Sequence, residues 1–296
     1  MKQRANNRGF TVLLIIAMML CGCQQSVPQH RLQWHVDALY DKNMNSTAKV
    51  KIAIIDSGID VTHPDLTIKK QVVLSCIDEQ DNTNNEHGTA VVGIIAAVPH
   101  NEKGVLGINP NVDIYSYDVM DNKEDTEVNG LIEAIEMSIK EDVDVINMSI
   151  GITIDNTKLH EVIRKAYNQG IILVAAAGNE YDEEILFPAA YDEVICVGSA
   201  DKDKKIMYKG EDVCDVYAPG LNIVTAYSSV DDEREYISLN GTSVSTPIVS
   251  AVISRILEEY PNVEIEDIYT RLAKVKYIYS IEEIYKVFSD KKAEDK

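Results

Sequence analysis

The apolar positions of the chain fall into short buried runs separated by stretches with helical spacing. Lys49 to Ile55 alternates and then turns wholly apolar, as an interior parallel strand does, and it stops at Asp56-Ser57-Gly58. Gln71 to Cys76, Ile114 to Val119, Val143 to Met148, Ile171 to Ala177, Val194 to Val197 and Ile223 to Ala226 read as further strands. Helices are predicted over Trp34–Tyr40, Ala90–Val98, Leu131–Lys140, Leu159–Asn168 and Ile265–Lys274, and over a long apolar segment from Ser243 to about Glu259, ended by Pro261. Strands alternating with helices predict an α/β fold of three layers: a mostly parallel sheet with helices on both faces. In such sheets ligands sit at the carboxyl ends of the strands. Asp56 and Asn179 each follow a buried strand directly, while His87 and Ser243 each open a helix. All four are therefore expected on one edge of the sheet.

Composition narrows the setting. The 296 residues suffice for one large core, and the net charge of −20 argues against nucleic acid and against adhesion to anionic lipid. The first residues stand apart from the fold. Lys2, Arg4 and Arg8 precede the apolar run Phe10–Leu20, which is too short to span a bilayer comfortably. Leu20-Cys21-Gly22-Cys23 follows and resembles a bacterial lipobox, which implies cleavage after Gly22 and a lipid on Cys23. A plain signal peptide or an uncleaved anchor is the alternative. The expected organisation is a lipoprotein signal peptide (1–22), a tether (23–30), one catalytic domain (31–290) and a charged tail (291–296), held on the extracytoplasmic face of a cell membrane. Past Cys23 only Cys76, Cys196 and Cys214 remain. Cys196, in Val194-Ile195-Cys196-Val197, reads as a buried small hydrophobe, no spacing suits zinc, and a disulfide framework is not expected.

Chemistry concentrates in a few places. In Asn240-Gly241-Thr242-Ser243-Val244-Ser245-Thr246-Pro247 the glycine permits a tight turn, so that Ser243 stands beside the free N–H groups at a helix start. A serine so placed becomes a nucleophile when a base and an oxyanion site are added. His87, in His87-Gly88-Thr89, is fixed near a helix start and is the candidate base; His63, in Thr62-His63-Pro64-Asp65, is its rival but reads better as a surface turn. Asp56 taken alone reads as a turn residue with Gly58. Asn179, after Ala175-Ala176-Ala177-Gly178, could donate to an oxyanion or simply occupy a left-handed turn.

Together these stretches resemble the subtilisin family of serine peptidases. The similarity runs through Ile55-Asp56-Ser57-Gly58-Ile59-Asp60, His63-Pro64-Asp65-Leu66, His87-Gly88-Thr89, Gly104-Val105-Leu106-Gly107, Val145 to Gly151, Ala176-Ala177-Gly178-Asn179, Ala218-Pro219-Gly220 and Gly241 to Pro247, in the family's order. The resemblance implies a serine endopeptidase. Ser243 would be the nucleophile, His87 the base, Asp56 its orienting carboxylate, and Asn179 with the Ser243 N–H the oxyanion site. No Gly-x-Ser-x-Gly surrounds Ser243, which disfavours an α/β-hydrolase.

The same resemblance implies an S1 pocket walled by Ser149-Ile150-Gly151 and Ala176-Ala177-Gly178, with Leu186 toward its end. Glu180, Asp182, Glu183 and Glu184 on one rim and Glu124, Asp125 and Glu127 on the other suggest a preference for basic residues upstream of the cut. No cofactor is required for the chemistry. Asp65 matches a family calcium ligand, although Val98-Pro99-His100-Asn101-Glu102-Lys103 departs from the usual Asn-rich loop. Only 33 residues separate Cys23 from Asp56, too few for the propeptide domain of secreted members, so folding without it or with help in trans is expected. The expected partner is a peptide or protein substrate, with the membrane reached through the lipid. Limited processing of a secreted precursor, such as a lantibiotic-type bacteriocin leader, is the preferred role. A general degradative surface peptidase and a non-catalytic binding lipoprotein are the alternatives.

Overall fold

The computed structural model describes residues 33–41, 49–66, 85–100, 104–120, 128–180, 184–208, 210, 212–229 and 234–289. The expected lipid site at Cys23, the strand at 71–76 and the rim acids Asp182, Glu183, Glu124, Asp125 and Glu127 lie outside these residues.

Six strands form one parallel sheet. β1 (Lys51–Asp56), β2 (Asp113–Asp118), β3 (Val145–Met148), β4 (Ile172–Ala176), β5 (Ile195–Ala200) and β6 (Val216–Pro219) lie in the order β2-β1-β3-β4-β5-β6. The chain leaves β1 toward β2 on one side and returns to β3 on the other. The strand order therefore reverses at β1, and the carboxyl end of that strand is where an open parallel sheet makes its crevice. Asp56 is the last residue of β1.

Alternation divides the core. Ile52 and Ile54 join one buried cluster, Ala53 and Ile55 another, because successive side chains leave a strand on opposite faces. The first cluster holds α2 (Glu86–Ala96), α5 (Thr242–Glu259), and the apolar residues of α6 (Ile265–Val275) and α7 (Ile281–Ser289). The second holds α3 (Val128–Lys140) and α4 (Thr157–Asn168). Helices thus cover both faces, as the strand–helix alternation predicts. The short α1 (Trp34–Leu39) buries Leu39 as expected, and it also buries His35 completely. A two-stranded antiparallel hairpin, β7 (Ile223–Ala226) with β8 (Tyr236–Leu239), lies beside α2.

α5 is buried almost all round and runs along β3, β4, β5 and β6. A helix buried on nearly every side belongs inside a protein. Its polar residues are matched individually: Ser250 Oγ donates to Asn147 Oδ1 (2.8 Å), and Arg255 holds the Ile108 carbonyl through Nε and Nη2 (3.1 and 2.8 Å). The nucleophile candidate therefore rides on the most enclosed helix of the fold.

Candidate active site

Period two along β1 puts the Asp56 side chain on the same face as Ile52 and Ile54, toward α2. There His87, in the first turn of α2, meets it, with Nδ1 2.7 Å from Asp56 Oδ1. Both side chains are buried, at 0% and 5% exposure. The same Oδ1 accepts the Ser57 N–H at 2.8 Å, while Oδ2 accepts no hydrogen bond. The close approach of α2 to the turn after β1 depends on Gly88. A Cβ there would sit 1.9 Å from the Gly58 carbonyl oxygen. Ser57 Oγ accepts the Gly88 N–H at 3.1 Å and closes the contact. With Nδ1 engaged by a carboxylate, Nε2 is the nitrogen left to exchange a proton with a substrate or nucleophile.

Ser243 lies in the first turn of α5, which packs along α2. Its backbone N–H has no carbonyl within the helix to bond, a property of every helix start. The approach to this turn requires Gly241, whose φ of +135° suits no ordinary side chain. Asn179 sits over the same turn. Its Oδ1 accepts the Thr242 N–H (2.8 Å) and the Thr242 hydroxyl (3.0 Å), and Gly178 N–H donates to Thr242 Oγ1 (3.2 Å). Those contacts orient the amide with its carbonyl toward α5, so that Nδ2 is the end available to donate. The arrangement offers an oriented imidazole, a hydroxyl at a helix start and two N–H donors, the set needed for acyl transfer.

The pocket segments also converge. Ser149, Ile150 and Gly151 follow β3, and Ala176, Ala177 and Gly178 end and follow its neighbour β4. Leu186 N–H donates to the Ala177 carbonyl (3.2 Å), and Ile152 and Phe187 exchange N–H···O bonds of 2.7 and 2.9 Å. A Cβ on Gly151 would lie 2.7 Å from Leu186 Cβ. Leu186 therefore closes the space between the two walls, and Gly151 leaves it room to do so. Glu180 and Glu184 are exposed.

His63 does not enter this constellation. Its Nε2 lies 2.8 Å from the Glu235 carbonyl and its Nδ1 accepts the Asp65 N–H at 3.2 Å, so the ring clips a turn to β8. Asp65, the calcium-ligand candidate, is engaged by donors of the protein itself. Its Oδ1 faces the His100 N–H (2.9 Å) and His100 Nδ1 (2.6 Å), and its Oδ2 accepts the Val105 N–H (2.7 Å). Burial pushes the Asp65 carboxyl up, but these donors outweigh it and hold the group below the usual carboxylate range. Sequence reading missed the supporting hydroxyls Ser57 and Thr242, and it missed Asp118, a buried carboxylate beside Asp56 in the β1–β2 register. Ser57 and Thr242 each adjoin a candidate in sequence, and Asp118 ends β2 as Asp56 ends β1. That matching position was the available signal.

A family model described as peptidase S8, subtilase family, matches residues 47–279. The chain is 36% identical to subtilisin DY of Bacillus licheniformis over 233 residues, covering 76% of this chain and 83% of that protein. It is likewise 36% identical to a subtilisin of Bacillus pumilus over 256 residues, covering 82% and 90%. For subtilisin E of Bacillus subtilis the figures are 35% identity, 82% of this chain and 65% of the relative. The chain belongs to the subtilase family, and it is a serine endopeptidase with the α/β fold of that family. Its substrate is accordingly a peptide or protein.

Proposed function

We propose that this endopeptidase works through Ser243, His87 and Asp56, with Asn179 and the Ser243 N–H as its oxyanion site. It acts as a lipid-anchored enzyme in limited processing of secreted precursor peptides, including leaders of the bacteriocin type. The buried 2.7 Å Asp56–His87 contact beside the start of α5 carries the reading. Ser243 Oγ attacks the peptide carbonyl while its proton passes to His87 Nε2. Asp56 keeps Nδ1 protonated and stabilises the imidazolium, and the same proton then goes to the leaving amine. Water repeats the cycle on the acyl-enzyme. A serine-reactive fluorophosphonate should label the wild type at Ser243 and leave Ser243→Ala unlabelled; unlabelled but folded wild type would reject the reading.

The narrower parts rest on separate support. The lipobox-like Leu20-Cys21-Gly22-Cys23 supports anchoring through Cys23 on the extracytoplasmic face; radiolabelled palmitate incorporated by wild type but not by Cys23→Ala tests it. The net charge of −20 and the exposed rim acids Glu180 and Glu184 support substrates with basic residues before the cut. Matched peptides with Arg or with Leu or Phe before the scissile bond decide this point: kcat/KM should favour Arg, and Glu180→Gln should narrow the gap. A preference for the apolar residue rejects it.

A further inference from the structure

Two thiols that stand apart in the chain come together on one face of the sheet. β5 and β6 pair in parallel with Val197 opposite Val216, and the Cys196 N–H donates to Asp215 Oδ2 at 2.8 Å, so Cys196 lies against the residue next to Cys214. Gly198 shares a strand face with Cys196, and a Cβ placed on Gly198 would lie 3.1 Å from Cys214 Sγ. The Cys214 sulfur therefore lies over the side of β5 from which the Cys196 side chain projects. Both residues belong to the same apolar cluster, at 4% and 7% exposure. The Cys214 thiol, together with burial, pushes Cys196 well above its ordinary value. The segment carrying Cys214 is held in place, since its N–H donates to the Tyr217 hydroxyl (3.3 Å), which in turn donates to the Gly210 carbonyl.

We propose that Cys196 and Cys214 are a modification site: a small-molecule disulfide converts them into an intramolecular disulfide that ties β5 to the entry of β6. The Cys214 thiolate, the more accessible of the two, attacks a sulfur of the small disulfide and expels one thiolate. Cys196, deprotonated, then displaces the second thiolate from the mixed disulfide. Two cysteine thiols are oxidised, one small disulfide is reduced to two thiols, and no other reactant is needed. The tie braces the wall behind the nucleophile helix, because Ser245 Oγ donates to the carbonyls of Ala218 and Pro219 at the end of β6 (3.2 and 3.0 Å). The inference does not depend on where the enzyme resides, since the test supplies the oxidant.

The full-length protein is incubated, folded, with oxidised glutathione, quenched by alkylation and digested without reduction. The expected product is a cross-linked peptide pair carrying Cys196 and Cys214, with two hydrogens lost. Closing a loop of eighteen residues should raise Tm by about 5 °C or more, with dithiothreitol reversing both changes. In reductant, Cys214→Ala should match wild-type peptidase activity, and in oxidant it should lack the rise in Tm. Alkylation of both cysteines after oxidation, a single glutathione adduct, pairing of either with Cys76, or a cross-link obtained only from denatured protein would each overturn the proposal. The wild-type measurements decide the matter even if the variant folds poorly.

Discussion

The molecule contains two aspartate–histidine pairs of nearly the same geometry. His87 Nδ1 is 2.7 Å from Asp56 Oδ1, and His100 Nδ1 is 2.6 Å from Asp65 Oδ1. Both aspartates are fully buried. Their surroundings separate them. Asp65 spends both oxygens on donors of one loop, whereas Asp56 has one oxygen with no hydrogen bond among the described residues and uses the other for His87 and a single backbone N–H. The His100 side chain is 37% exposed and the His87 side chain 6%. Only His87 opens a helix that lies along the one bearing Ser243. A short carboxylate–imidazole distance is thus common to a structural clip and a candidate catalytic pair. The packing of the helix that carries His87 along the helix that carries Ser243 makes the difference.

Exchanging the two carboxylates should break the symmetry most sharply. Asp56→Asn should lower kcat about 10⁴-fold with the fold retained, the scale known for the triad aspartate of trypsin and close to that of subtilisin itself. Asp65→Asn should leave kcat intact and lower Tm. Equal kinetic losses in both variants would show that the pairs do not differ as described. Next in size, Asn179→Ala should cost about 10²–10³ in kcat with little change in KM, a magnitude that comes from subtilisin's own oxyanion asparagine. The Asp65 clip gives a smaller effect. His100→Ala should destabilise by about 1.5–3 kcal/mol in denaturant titration, since it removes the side-chain hydrogen bond to a buried carboxylate and keeps only the backbone one, and kcat/KM should stay put. A calcium chelator should leave the wild-type melting curve where it was; a drop would mean that Asp65 takes a cation after all.

A third histidine sharpens the contrast by having no carboxylate. Both ring nitrogens of His35 are buried without a hydrogen-bond partner among the described residues, and burial pushes its pKa down to about 3 from 6.5. The folded protein keeps it neutral while the unfolded chain takes up a proton below pH 6.5. Stability is therefore full above that pH and falls steadily as pH drops toward 3, by about 2 kcal/mol at pH 5. His35→Leu should flatten that part of the stability profile, read as ΔG of unfolding at pH 7 and pH 5. An unchanged slope would assign the acid sensitivity elsewhere.

The sheet and its reactive edge were legible in the sequence because they depend on local signals. Apolar runs ending in Asp56-Ser57-Gly58 and Gly178-Asn179 marked the strand ends, and His87-Gly88 and Gly241-Thr242-Ser243 marked the helix starts. β6 and β8 escaped notice because each is four residues long, one ending in a proline and the other half-exposed. α7 was readable: Ile281, Ile284, Tyr285 and Phe288 recur at helical spacing, and the neighbouring charges masked it. The proximity of Cys196 to Cys214 and of His100 to Asp65 left no trace in the sequence. Each arises where separate segments meet, and no periodicity along one chain encodes such a meeting.

The order in which the site's parts occur along the chain has one more consequence. During synthesis the carboxylate, imidazole and amide emerge first, and the hydroxyl arrives last of the four. A half-made copy is thus chemically disarmed, whatever it has already folded. Cutting power, by the assignment proposed above, waits for the helix that carries Ser243, so the order of the chain itself works as a safety catch.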